Sequence, residues 1–217
     1  MANFYGMIAN VDENIGRLLG KLNEWKLADN TIVVFMTDNG TAAGVLGQGP
    51  NAGKRKRDGG KERRSEGEWT GFGAGMRAQK GSQYDGGHRV PCFVRWPAKI
   101  KPQSSAAPRE IGLLTAHFDL LPTLLDLCNI EQLAVGGFDG GSLRQQLGVY
   151  ENGDEAAGAP PPRLPIVVHS QRVDFPEKWR KCSVMHSGNG KSEWRLVDGK
   201  ELYELHSDPG QKTDVAG

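Results

Sequence analysis

The chain has 217 residues, with 37% hydrophobic and 24% charged residues. That is the balance of a soluble globular protein of one or two domains, not of a disordered or membrane-embedded chain. Lys and Arg number 27 against 26 Asp and Glu, so net charge gives no pull toward nucleic acid or lipid. No apolar run is long enough to span a bilayer. The first residues, MANFYGMIANVDENIGRLL, lack the basic start and unbroken apolar stretch of a signal peptide. The three cysteines, Cys92, Cys128 and Cys182, are too widely spaced for a zinc pattern or a disulfide framework and read as buried thiols.

Ile8, Val11, Ile15, Leu18, Leu19, Leu22 and Trp25 recur at three- and four-residue steps. The spacing predicts an amphipathic helix over 4–25. After Ala28-Asp29-Asn30, the β-branched and apolar run 31–37 predicts a strand buried on both faces, as in a parallel sheet. A helix, a turn and a buried strand make one α/β unit.

Residues 41–75 show no periodicity. Within them, 54–64 holds seven Lys or Arg, two acids and two glycines. Interleaved aromatics, which a nucleic-acid surface would need, are absent, so this stretch reads as a solvated loop with few packed contacts. Residues 89–96 predict a second strand, interrupted early by Pro91. Residues 115–128 predict a helix with Asp119 as N-cap and Pro122 in its first turn, where a missing N–H costs nothing. A Gly, Ala and Pro-rich linker follows at 151–162. Beyond it, short runs at 165–170, 181–186, 193–197 and 201–205 predict a small antiparallel sheet. The expected organisation is a larger α/β part over 1–150, the linker, and a β subdomain over 163–217.

Two places carry candidate chemistry. Asp38 and Asn39 follow the first predicted strand, where open α/β sheets gather ligands. A carboxylate and an amide oxygen there are hard donors suited to Ca²⁺ or Mg²⁺; the same residues also suit an Asx turn closing the strand. In the segment 75–91 glycines surround Lys80 just before the second strand. Such a loop can bring an ammonium against an oxyanion with little steric hindrance, or can form a glycine-rich hairpin through Asp85-Gly86-Gly87.

Four segments, VVFMTDNG, GMRAQKGSQYDGGHRVPCFVRWP, HFDLLPTLLDLC and WRLVDGKELYELHSDPGQKTDVA, occur in this order over nearly the whole chain. Together they resemble the sulfatase family, in the arylsulfatase branch of the alkaline-phosphatase-like superfamily. The resemblance implies an α/β fold: the C-terminal part of a mixed sheet with flanking helices, plus a small antiparallel subdomain. It implies that Asp38 and Asn39 ligate the divalent cation, usually Ca²⁺, and that Lys80 contacts the sulfate ester oxygens. Arg89 would help to fix the loop and Asp85 to shape a turn; His88 lies in the motif without a catalytic assignment. The C-terminal subdomain borders the substrate pocket in this family, which makes His169 and Arg172 candidates to touch an anionic substrate, an aryl or carbohydrate sulfate.

The family nucleophile is a formylglycine made from Cys or Ser in a C/S-x-P-S-R motif. No such motif occurs here: Cys92 is followed by Phe-Val-Arg and Cys182 by Ser-Val-Met. The upstream acidic metal ligands and the upstream Lys and His pairs are absent too. The expectation is a C-terminal portion of a sulfatase, inactive alone, whose N-terminal half supplies the rest of the site. The family implies a periplasmic, secreted or lysosomal setting. Alternative readings are a phosphoester or phosphonate hydrolase of the same superfamily and a non-catalytic binding remnant.

Overall fold

The computed structural model describes residues 2–41, 73–102, 107–131, 137–150, 163–171, 174–188 and 192–217. The basic stretch 54–64, the linker 151–162 and Arg172 lie outside the described residues. The elements in chain order are α1 (Ala2–Glu24), β1 (Val33–Met36), α2 (Asp85–His88), β2 (Cys92–Arg95), α3 (Leu120–Leu127), β3 (Ile166–His169), β4 (Cys182–Gly188), β5 (Ser192–Val197) and β6 (Glu201–Glu204). They divide into two compact units, neither continuous in sequence. One comprises Ala2–Phe35 and Phe93–Leu164, the other Met36–Cys92 and Pro165–Gly217.

In the unit containing α1, the helix is carried by the predicted periodicity and by the exposed pairs Arg17–Glu13 and Lys21–Glu24 at helical spacing. It stops at Lys26, whose φ of 59° is left-handed. Lys26 N–H donates to Asn23 O at 3.0 Å and Leu27 N–H to Leu22 O at 2.9 Å, the paired bonds of a Schellman termination. α3 ends the same way at Asn129, with φ 53° and bonds from Asn129 N–H to Asp126 O and Ile130 N–H to Leu125 O. Pro122 sits in the first turn of α3, as its missing N–H requires. Asp119 holds the predicted N-cap position, but its carboxylate does not cap α3. It accepts instead from Ala116 N–H at 2.7 Å and Gly141 N–H at 3.0 Å, and pairs with Arg163 at 2.8 Å. A fully buried carboxylate takes the partners that satisfy both oxygens, and here those come from flanking loops.

The core of this unit is Trp96, Leu127, Leu147 and Val149, with Ile32, Val94, Ile100, Ile111 and Leu143 packed against it. β1 and β2 form a two-stranded sheet. The expectation of a strand buried on both faces does not hold for β1. Its residues are half-buried apart from Phe35, which is exposed and pairs with exposed Phe93 at 6.2 Å. The α1 stripe behaves likewise: Ile15, Leu19 and Leu22 are half-buried, whereas Ile8, Val11, Leu18 and Trp25 are exposed. The periodicity reports the face correctly, but no described layer covers it.

In the other unit, β3 to β6 form one antiparallel sheet in sequential order. Its register places Met185 opposite both Ile166 and Arg195, Ser183 opposite Val197, and Arg195 opposite Tyr203. Those six residues share one face and all are buried. Val167, Val184, Leu196 and Leu202 alternate onto the other face and are exposed or half-buried. The β5–β6 connection turns through Asp198 and Gly199, both with positive φ, which suits an Asp-Gly pair. Tyr84 packs against the cluster of Val197, Tyr203 and Leu205 on the buried side.

After β6 the chain is held by Glu204, which accepts from the Ser207 hydroxyl at 2.6 Å and the Ser207 N–H at 2.7 Å. Those bonds, with weaker ones from the His206 and Glu193 N–H groups, hold its carboxyl down to about 2 from an ordinary 4.5. A depressed carboxylate contributes stability that is complete above the unfolded value and is lost as pH falls through the folded one. The Glu204 contribution is therefore expected to persist at pH 5 and to disappear between about 4.5 and about 2. A carbon-13 titration of its carboxyl should show a midpoint near the lower figure, and a midpoint near 4.5 would show that the Ser207 turn is not formed.

Candidate functional site

The chain leaves β1 through Thr37 and bends at Asp38, Asn39 and Gly40. Gly40 N–H donates to Gly87 O at 3.1 Å, and Lys80 N–H donates to Thr41 O at 3.0 Å. These two bonds clip the 38–41 turn to the glycine-rich loop. The approach is close enough that a Cβ at Gly40 would lie 1.8 Å from Gly86 O. Only glycine fits there. Gly87 meets the same constraint on its own loop, where a Cβ would lie 2.1 Å from Ser82 O.

Asp38 is exposed and Asn39 half-buried. Asn39 Oδ1 is sealed from solvent and has no hydrogen-bond partner among the described residues. A buried acceptor without a donor is costly, and a cation is one of the few groups that would satisfy it. The oxygen chemistry of Asp38 and Asn39 thus fits a hard divalent ion. No group of three or more His, Cys, Asp or Glu side chains converges among the described residues. Two protein oxygens fall well short of the roughly 6–8 that Ca²⁺ takes, so the remainder must come from water or from other ligands.

Lys80 is exposed at a turn continued by Gly81, whose φ of 83° is left-handed. The segment after it is not a hairpin but a single helical turn, α2, closed by Arg89 N–H to Asp85 O at 2.8 Å and entered through the bond from Gly87 N–H to Tyr84 O at 2.9 Å. α2 is anchored by Asp85, which is 1% exposed and paired with Arg195, also 1% exposed. The Arg195 guanidinium also donates to Gln83 O at 2.8 Å and lies 3.0 Å from His88 Nε2. Arg89 adds an outer contact to Asp85 at 3.2 Å, in keeping with its expected role of fixing the loop. Burial, and next the Arg195 charge, lower the His88 pKa below its ordinary 6.5.

A second cluster surrounds Arg77. Its guanidinium donates to Tyr203 Oη at 2.7 Å and Gln211 O at 2.9 Å, and stacks on the Tyr84 ring at 3.9 Å. Both phenols donate to Glu201 Oε2 at 2.6 Å. Burial and then the Glu201 hydrogen bond raise both phenol pKa values, so Tyr84 and Tyr203 stay protonated.

His169 ends β3, opposite Cys182, and is exposed. The thiols depart from expectation: Cys92 and Cys128 are exposed, because one opens β2 and the other caps α3, and Cys182 is half-buried. Partial desolvation by neighbouring atoms pushes the Cys92 and Cys182 thiols up, even though Cys92 keeps a solvent-exposed face, and the Asp198 charge adds to the rise at Cys182, which leaves neither as an activated thiolate. A cavity of about 710 Å³ lies in the other unit, between Ile32, Trp96, Leu127 and Val149, and is lined by none of the predicted site residues. No described helix is long and apolar enough to cross a membrane.

Sequence reasoning missed Arg195 and Arg77. The signal for Arg195 was available: it lies two residues before Val197 in a short strand, hence on the same face. An arginine in phase with a core valine must be buried and must find a carboxylate.

Comparison with known proteins supplies the family. Residues 1–130 match the family model described as Sulfatase. The chain is 29% identical to human arylsulfatase A, covering 99% of this chain and 39% of that protein. It is 26% identical to an arylsulfatase of Volvox carteri, covering 96% of this chain and 30% of that one. It is 32% identical to mouse steryl-sulfatase over 125 residues, which are 57% of this chain and 16% of that protein. A solved structure from work on glycosaminoglycan metabolism by Bacteroides thetaiotaomicron superposes with a TM-score of 0.59 and 22% identity, over 95% of this chain and 39% of that one. That likeness establishes the shared α/β fold. The chain spans well under half the length of these relatives, and its matching region extends over most of its own residues. On this family match, together with the ordered motifs, the chain belongs to the sulfatase family.

Proposed function

We propose that this chain contributes part of a sulfate monoester hydrolase site, with Asp38 and Asn39 as oxygen donors to a divalent cation, Ca²⁺ or Mg²⁺, and Lys80 as the contact for the sulfate oxygens. The observation that carries the reading is the backbone clip: the bonds Gly40 to Gly87 and Lys80 to Thr41 tie the donor turn to the loop bearing the ammonium. The unpartnered Asn39 Oδ1 supports the cation assignment.

When bound, the cation would supply positive charge beside the ester. Asp38 offers the carboxylate that holds it, and Asn39 the neutral oxygen that orients it. Lys80, exposed on a glycine-flanked turn, can reach a tetrahedral anion without steric hindrance and offset the charge that grows on the ester oxygens as the bond to the leaving group lengthens. The nucleophile, a formylglycine in this reading, and the remaining ligands come from residues that this sequence does not contain. His169 and Arg172 are proposed contacts at the substrate rim. The substrate class is an aryl or carbohydrate sulfate, and the setting periplasmic, secreted or lysosomal.

Calcium is expected to bind the 1–217 chain with a Kd on the order of 1 mM, so 10 mM Ca²⁺ should stabilise it by about 1.4 kcal/mol in denaturant titrations. Asp38→Asn should abolish that gain. Asn39→Leu should abolish it too, while leaving the metal-free protein at least as stable as the wild type, because the orphaned oxygen is gone. Equal calcium stabilisation in all three proteins would refute the donor assignment.

The 1–217 chain alone should show no turnover of an aryl sulfate, because covalent catalysis needs its nucleophile. Inorganic sulfate should still bind it weakly, and Lys80→Ala should weaken that binding about tenfold. Turnover by 1–217 that survives Lys80→Ala and Asp38→Ala would overturn the reading.

A further inference from the structure

We infer that Arg195, on β5 of the C-terminal sheet, is the positioning residue for the loop that carries Lys80, and that it fixes His88 as a neutral imidazole with its proton on Nδ1. The functional sense of this inference rests on the sulfate contact proposed for Lys80.

The geometry is that of one guanidinium meeting three acceptors of a single loop. Arg195 donates to Gln83 O at 2.8 Å, pairs with Asp85, and points Nη1 at His88 Nε2 at 3.0 Å. Arg195 and Asp85 are each 1% exposed, so no water substitutes for these contacts. The three acceptors span residues 83–88, the segment immediately after Lys80. A planar fork with several N–H groups can serve three directions at once, whereas an ammonium is a single point.

The tautomer follows from donor logic. A guanidinium nitrogen carries only hydrogens and never accepts. His88 Nε2 must therefore present its lone pair to Arg195, which places the imidazole proton on Nδ1. That atom faces Ser82 O at 3.5 Å, two residues from Lys80. The imidazole is thus a spacer between the fork and the turn that presents the ammonium. Gly86 and Gly87 complete the arrangement, because side chains there would strike the carbonyls of Ala78 and Ser82. The lowered pKa of His88 agrees with a ring held neutral by burial and by a fixed positive charge beside it.

Two measurements on the 1–217 chain test this. Nitrogen-15 NMR of the unmutated protein at pH 7.5 should show His88 with its proton on Nδ1; a ring protonated on Nε2 would overturn the proposal, and this reading requires no variant to fold. Hydrogen exchange should then compare wild type, Arg195→Met and Arg195→Lys. The positioning role predicts that the amides of Lys80, Gly86, Gly87 and Arg89 exchange at least about tenfold faster in both variants, while β4–β5 amides keep their protection in Arg195→Lys, which retains a positive charge beside Asp85. Uniform loss of protection in Arg195→Lys would assign Arg195 to general stability and overturn the proposal. Full rescue of the loop amides by lysine would overturn it as well, because the fork would then be unnecessary. Inorganic sulfate titration separates this idea from the reading beneath it. If Lys80→Ala leaves sulfate binding unchanged, the sulfate role of Lys80 fails, and the tautomer and exchange results still judge Arg195 independently.

Discussion

An ion pair with no access to water organises the unit that holds the candidate site. Arg195 and Asp85 are both 1% exposed. Two buried charges are tolerated only when each is paired and its remaining hydrogen-bonding capacity is largely met. Asp85 meets the condition with Arg195 and Arg89; Arg195 meets most of it with Gln83 O, His88 and Met185 Sδ, only its buried Nε lacking a partner among the described residues. Removing one partner of such a pair typically costs about 3–5 kcal/mol, a large part of a domain's stability. The pair thus forces the glycine-rich loop onto one face of the sheet, and the rest of the loop must conform. Arg77 repeats the device nearer the surface, where Tyr84, Tyr203 and Glu201 share a guanidinium between rings and a carboxylate.

Given that anchor, the glycines acquire their function. Gly40, Gly86 and Gly87 each lie where a side chain would strike a carbonyl. Their absence of bulk lets two backbone segments touch, and the touching segments carry Asp38, Asn39 and Lys80. The candidate site is positioned by main-chain hydrogen bonds on the donor side and by buried side-chain charge on the lysine side. Neither support uses the side chains proposed to act on substrate; Lys80 enters the clip only through its backbone N–H. Those can face a ligand because others hold the frame.

Much of the local structure was legible in the sequence. The three- and four-residue spacing gave α1, Pro122 gave the start of α3, and short alternating runs gave the four-stranded sheet. Asn129 is a readable helix terminator, whereas Lys26 in the same conformation is not, since no local chemistry favours lysine there. Burial was less legible. Periodicity finds an apolar face but not the layer that covers it, so Phe35 and the stripe of α1 are more exposed than their pattern implies. Asp119 was placed at the correct helix end with the wrong partners, because a carboxylate at that position has competing N–H donors from the preceding turn and from the loop at Gly141. Of the candidate site, the motifs identified both loops and strand phase could have flagged the burial of Arg195, while the clip joins segments about 40 to 50 residues apart and the Arg195–Asp85 pair reaches across 110, contacts that no local pattern encodes.

That separation has a consequence for how the protein is made. Asp85 and Arg195 lie 110 residues apart in the chain. At about 5–20 residues per second, roughly 5–20 s pass between synthesis of the loop and synthesis of its buried counter-charge. Closing so long an excursion also costs chain entropy before any contact repays it, which makes this unit a late and slow one to fold. The segment with the candidate chemistry thus takes its shape only after β5 has been synthesised, and truncation before β5 would leave Asp85 without the partner that allows its burial.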